Sequence, residues 1–125
     1  MFSIAMLLLA AAPASAPQAN VDDGGVRDLR SADARLNAQY RTTMATMAAR
    51  DADNAPDARI GPSYRQALTS AQRAWIVFRD ANCRAFGYEY RGGSAERQST
   101  GVCLIRMTKA RTAELKQLAD ALTPL

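Results

Sequence analysis

The side chains that could do chemistry are few in this chain of 125 residues, and there is no histidine among them. Cys83 and Cys103 are the only thiols, and two cysteines alone do not complete a tetrahedral zinc site. Asp22, Asp23, Asp51, Asp53 and Asp57 fall in segments that read as leader or loop, and neither Glu96 nor Glu114 stands at a recognisable catalytic spacing. No nucleophile motif or phosphate-binding loop is present. The reading is a non-enzymatic protein with no catalytic residue, no metal and no cofactor. The chemistry that remains lies in polar side chains set at helical spacing.

The segment Ala71 to Cys83, AQRAWIVFRDANC, carries the clearest case. With Trp75 at the centre of a helical face, Tyr64, Leu68, Ala71, Gln72, Phe78, Arg79 and Asn82 fall within about 60° of it. A guanidinium on a packing face must be paired or reach water, because burying it alone costs several kcal/mol. The same applies to Arg111 further along. Asp33 lies at the edge of an earlier helical face, with Asn37 further round. An ion pair from Arg79 or Arg111 to Asp33, with Gln72 and Asn37 completing the hydrogen bonds, is therefore expected. Arg73 and Asp80 point away from the Trp75 face.

Three helices are needed to position these groups. Residues 17–25 are rich in Pro, Gly and Asp and read as a flexible leader. A first helix runs from Val26 to about Arg50, with Leu29, Ala32, Leu36, Tyr40, Thr43 and Met47 on one face. Prolines and a glycine break it between Asp51 and Ser63. A second helix runs from about Ser63 to Ala85, a glycine-rich loop from Gly87 to Gly101, and a third helix from about Val102 to Ala121. The third helix has a near-heptad stripe of Leu104, Thr108, Arg111, Leu115, Leu118 and Leu122. Nothing alternates with the period of a strand. The fold class is all-α, a three-helix antiparallel hairpin or bundle over residues 26–125, with Leu36, Tyr40, Trp75, Leu104 and Leu115 as core anchors.

Residues 1–16 read as a signal peptide, an apolar run followed by small residues, with cleavage after Ala14 or Ala16. The run is too short to span a bilayer and no lipid-acceptor cysteine follows it, so the expectation is a periplasmic or secreted protein without a stable membrane anchor. In an oxidising compartment Cys83 and Cys103 pair, closing a loop worth roughly 3 kcal/mol. The net charge of +4 comes from 14 Arg and 2 Lys against 12 acids. These are interleaved along the chain, as on a solvated surface, rather than clustered as a nucleic-acid footprint.

The assembled pieces resemble the N-terminal domain family of the LprI-type lysozyme inhibitors, small exported bacterial proteins. They are DARLNAQY from Asp33 to Tyr40, AQRAWIVFRDANC from Ala71 to Cys83, GGS from Gly92 to Ser94 and CLIRMTKARTAEL from Cys103 to Leu115. The resemblance implies an all-α domain, a disulfide between the second and third helices and, for the namesake, lysozyme inhibition in the envelope. Family members often carry another cysteine pair ahead of the first segment, which is missing here, and the namesake is a lipoprotein. A lysozyme or other muramidase is the implied partner. Animal c-type lysozymes are strongly basic, as is this chain, so steering opposes their encounter and shape must carry the contact. The candidate partner-binding loop is Tyr88, Glu89, Tyr90, Gly92, Gly93 and Ser94. The alternative is an envelope module whose Arg-rich surface binds another protein or an anionic polymer. The sequence does not specify an oligomeric state.

Overall fold

The computed structural model describes residues 21–54 and 59–124. Helix α1 spans Val21–Asp53, α2 Tyr64–Gly87 and α3 Ala95–Leu122, with a single 3-10 turn at Tyr88–Tyr90 between the last two. Among the described residues there is no strand, and the chain is an all-α, three-helix fold. Sequence-adjacent helices run antiparallel, which leaves α1 and α3 parallel and packed along much of their length. The α2 helix leans more on α3 than on α1.

Two helix boundaries differ from the sequence reading. Helix α1 already includes residues 21–25, expected as leader, and its last turn carries on through Asp53. The signal segment over 1–16 lies outside the described residues. Helix α3 starts at Ala95, about two turns before the expected Val102, so most of the supposed loop from Gly87 to Gly101 is helix. Gly101 is tolerated inside α3, where one glycine costs about 1 kcal/mol and packing outweighs it.

The core is thin, with Leu36, Met47, Leu68 and Leu115 at its centre and Tyr40, Met44, Tyr64, Trp75 and Leu122 packed around them. Ala32, Thr43, Thr108 and Ala119 are also buried. The buried hydroxyl of Thr43 donates to the Leu115 carbonyl of α3 at 3.0 Å, sharing its proton with the Gln39 carbonyl at 2.9 Å. Leu118, expected in the α3 stripe, is 38% exposed and Ala119 replaces it inside. A straight helix drifts about 20° per heptad, so the buried line moves from the i+3 to the i+4 position.

The α1–α2 connection is fixed by capping. Ser63 and Gln66 form a reciprocal capping box, and Asp51 of α1 accepts the backbone N–H groups of Tyr64 at 2.8 Å and Arg65 at 3.2 Å. A carboxylate there satisfies free N–H groups and complements the helix dipole. Asp51 thus acts as a cap rather than as a loop acid. At the opposite end Cys83 and Cys103 form a disulfide with a Cα–Cα distance of 5.4 Å. One turn on, Gly87 lies against Thr100, whose hydroxyl occupies the space a β-carbon would need. This close approach is where the absence of a side chain matters.

Candidate functional site

Two places gather the polar and aromatic side chains singled out in the sequence. The first is the seam between the helices. Arg79 extends from α2 across the bundle, its Nη1 donating to Asp33 Oδ1 of α1 and to Thr108 Oγ1 of α3, each at 3.1 Å, while its Nε reaches Asp80 at 3.0 Å. One turn away, Arg111 of α3 donates from Nε to Gln72 Oε1 at 3.0 Å and from Nη1 to Glu114 at 3.1 Å. Both guanidinium carbons lie over the Trp75 ring, at 5.2 Å for Arg79 and 5.9 Å for Arg111.

The two arginine side chains are only 14% and 16% exposed. Each has acceptors supplied by neighbouring side chains, and each adds a cation–π contact worth about 1 kcal/mol. The two arginines therefore divide the available partners. Arg79 takes Asp33 and Arg111 takes Gln72. Asn37, expected to complete the hydrogen bonds, is exposed and stands outside them. Asp80, expected to point away, is drawn back to Arg79, while Arg73 is exposed.

Phe78, placed on the Trp75 face by periodicity, is 59% exposed. The arc of α2 that packs inward is shifted toward Leu68, Gln72, Arg79 and Cys83, and Phe78 is on the other side of Trp75. Of the expected core anchors, Leu36 and Leu115 are buried, Tyr40 and Trp75 are half-buried against the core, and Leu104 is half-buried. Leu104 lines an open groove of about 970 Å³ between the first turns of α1 and α3, beside Val26, Leu29 and Ile105.

The second place is the short connection between α2 and α3. Arg91 N–H donates to Tyr88 O at 3.1 Å and Gly93 N–H to Tyr90 O at 2.8 Å. Gly92 has φ +80°, which a residue with a side chain rarely adopts. Its N–H donates to Glu96 Oε2 at 2.8 Å, so a carboxylate from the first turn of α3 clamps the bend. Tyr88, Glu89, Tyr90, Gly92, Gly93 and Ser94 are all exposed on this turn. The Arg91 guanidinium stacks over the Tyr88 ring at 4.5 Å and meets no carboxylate among the described residues.

Sequence reasoning did not single out Arg91 or Met107, and it weighed Glu96 only as a catalytic acid, not as a clamp on the turn. Arg91 follows Tyr88 by three residues, the spacing at which side chains meet over one helical turn. Glu96 is recognisable only once Ala95 is known to begin a helix. Met107 packs its sulfur 3.6 Å from Cys83 Sγ and 3.9 Å from Cys103 Sγ, a long-range contact with no local signature. Among the described residues, no group of three or more Cys, Asp or Glu side chains is placed to hold a metal ion, and no helix is long and apolar enough to cross a membrane.

Comparison with known proteins bears directly on this arrangement. The family model described as "Lysozyme inhibitor LprI" matches residues 10–115, which include the interhelical seam, the disulfide and the turn. An uncharacterised protein of Rhizobium meliloti (strain 1021), R02472, is 38% identical over 130 residues, covering 95% of this chain and 94% of its own length. No solved structure matches the chain. A match over nearly all of the helical domain makes this chain a member of the LprI lysozyme inhibitor family.

Proposed function

We propose that this chain is an exported, non-enzymatic inhibitor that occupies the cleft of a muramidase with the turn between α2 and α3. The observation that carries the reading is the contrast between the order of that turn and its exposure. Three backbone hydrogen bonds and the Glu96 clamp fix its conformation before any partner arrives. Tyr88 and Tyr90 nevertheless remain 44% and 46% exposed. Preorganised aromatic and arginine side chains are the groups that contribute most at protein interfaces, because little conformational entropy is lost on docking.

The chemistry of the cleft points the same way. Most glycoside hydrolases act with a pair of carboxyl groups flanking the scissile bond. Arg91, stacked on Tyr88 and meeting no carboxylate among the described residues, supplies a cation to such a pair, and the two tyrosine rings supply flat surface for subsites that hold sugars. A local cation at the tip also explains how a basic chain engages an enzyme whose overall charge is positive. Long-range steering is unfavourable, and the contact is made at short range by one well-placed guanidinium.

The test is a muramidase assay with the oxidised protein titrated against c-type and g-type lysozymes. Stoichiometric inhibition of one class is expected, abolished by the Glu89→Ala/Tyr90→Ala double variant and by Arg91→Glu, with circular dichroism and melting unchanged. Full inhibition by those variants would move the contact elsewhere on the surface. A folded sample that inhibits neither class would remove the muramidase reading.

A further inference from the structure

Helix α2 carries a second apolar stripe that the bundle does not use. Ala67, Ala71, Ala74, Phe78, Ala81 and Ala85 follow one another at intervals of four, three, four, three and four residues, and every one of them is exposed. That is the heptad spacing of a helix that packs against another helix. The stripe is more than small residues, since Phe78 at its middle is 59% exposed and Val77 on its flank is 70% exposed. Burying two large apolar side chains side by side is favourable, and leaving them in water on a helix otherwise well packed calls for a partner.

The order of residues in the stripe indicates which partner. It is symmetric about the level of Ile76. Ala74 and Phe78 lie two positions to either side, Ala71 and Ala81 five, and Ala67 and Ala85 nine. A stripe that reads alike in both directions fits itself when two copies run antiparallel. Each Phe78 then lands on the partner's Ala74, a large side chain over a small one, twice across the same axis. The two Val77 side chains lie on the same flank, offset along the axis by two residues, about 3 Å. Further round the same flank Arg73 of one copy comes within one residue of the level of Asp80 of the other, while Arg84 comes within two residues of uncharged Ser70. A parallel pairing would instead set Phe78 against Phe78 and carry Arg73 of one copy and Asp80 of the other to opposite sides of the interface. We infer that α2 is the self-association surface of this chain, forming a two-fold symmetric antiparallel dimer with Phe78 seated on Ala74 of the second copy.

Such an interface is isologous, so it closes at two copies. Alanine at the seam lets the two α2 helices approach closely, and the bulk of Phe78 fixes the register. The disulfide and the turn at Tyr88–Ser94 stay outside it. An antiparallel arrangement carries the two turns to opposite ends of the dimer, so each copy keeps its own turn free for a partner.

Sedimentation velocity on the oxidised protein, from low micromolar to near-millimolar concentration, is expected to show a monomer–dimer equilibrium with no larger species. Phe78→Lys raises the dissociation constant by at least about tenfold, and because Phe78 is already exposed the melting curve of the monomer stays as it was. Register is read by a pair of charges. Ala71→Glu alone weakens the dimer, Ala81→Arg alone weakens it, and the double variant restores it because each carboxylate meets the other copy's guanidinium. A chain that is monomeric across the whole range, a dimer indifferent to Phe78→Lys, or a double variant weaker than both singles would each overturn the inference. The muramidase assay is independent of all three, since the turn takes no part in the interface.

Discussion

The interhelical seam and the α2–α3 turn both contain arginine stacked on an aromatic ring, yet the two stacks have opposite surroundings. Over Trp75, Arg79 and Arg111 are largely buried and their donors are taken up by Asp33, Asp80, Thr108, Gln72 and Glu114. Over Tyr88, Arg91 is exposed and has the ring, with no carboxylate among the described residues. The same pair of residue types therefore fixes the packing of three helices in one place and leaves a cation available in the other. What separates them is whether neighbouring elements supply acceptors. Between the two regions sits the disulfide, which ties the seam to the turn.

Cutting that tie is expected to have the largest effect. A loop with a sequence separation of 20 is closed by Cys83 and Cys103, and removing such a link costs about 3 kcal/mol in the chain-entropy model. Calorimetry of the Cys83→Ala/Cys103→Ala variant, or of the wild type under reductant, should show a melting temperature lower by more than about 10 °C. Both regions suffer, because the end of α2 is then held to α3 by side-chain contacts alone. A change of only a few degrees would mean that the thin core, rather than the disulfide, holds the helices together.

The next effect tests the seam by itself. Arg79→Ala leaves the buried Thr108 hydroxyl and the half-exposed Asp33 without their donor and should destabilise the fold by about 2 kcal/mol in urea titration. Because Asp33 is 43% exposed it recovers part of its hydration, so the loss stays below that of a fully buried pair. A double-mutant cycle with Asp33→Asn is expected to give a coupling of about 1 kcal/mol. Per folded molecule, inhibition should not change. If it fell with stability corrected for, the seam would belong to the binding surface after all.

How much of this was legible in the sequence follows from the distance over which each signal acts. The helices, their order and the pairing of Cys83 with Cys103 depend on local periodicity and on the number of thiols, and the chain shows both plainly. The demand that Arg79 and Arg111 find partners was equally legible, because it needs only the charge and the face. Which partner each takes was not, since Asn37 and Gln72 have similar chemistry and only the relative height of the helices chooses between them. The first two turns of α3 were hidden by Gly92 and Gly93, which stay in the turn, and by Gly101, whose low helix propensity is outweighed where α3 packs closely on α2 at Gly87 and Thr100. Phe78 was misplaced for another reason. Periodicity identifies an apolar side of a helix, but α2 has two, and the stripe through Phe78 is the one the bundle leaves outside.

A smaller effect is expected where the seam gives way to the turn. Adding a β-carbon at Gly87 forces the Thr100 hydroxyl aside, and Glu96 O lies 3.2 Å from the same point. Gly87→Ala should cost about 1–2 kcal/mol, with overpacking outweighing the gain in helix propensity. Thr100→Ala in the same chain removes the obstructing hydroxyl and should recover most of the loss. Equal instability in single and double variants would show that the Glu96 carbonyl, and hence the backbone spacing of the helices, sets the limit.

The least effect on stability is expected at Arg91, and this makes it the sharpest comparison with Arg79. Its guanidinium lies 4.5 Å from the Tyr88 ring centroid, so Arg91→Ala forfeits only an exposed cation–π contact, at most about 0.5–1 kcal/mol. The turn keeps its backbone hydrogen bonds and the Glu96 clamp, neither of which uses the side chain. In the muramidase assay the order reverses. Arg91→Ala should weaken inhibition by about 1–2 kcal/mol, and Arg91→Lys should recover part of it, because an ammonium keeps the charge while losing the planar fork and much of the stacking. Arg79→Ala and Arg91→Ala thus trade places between the two measurements. An arginine whose donors are already satisfied contributes to folding, whereas one left with an aromatic ring and water contributes when a carboxylate from outside comes within reach.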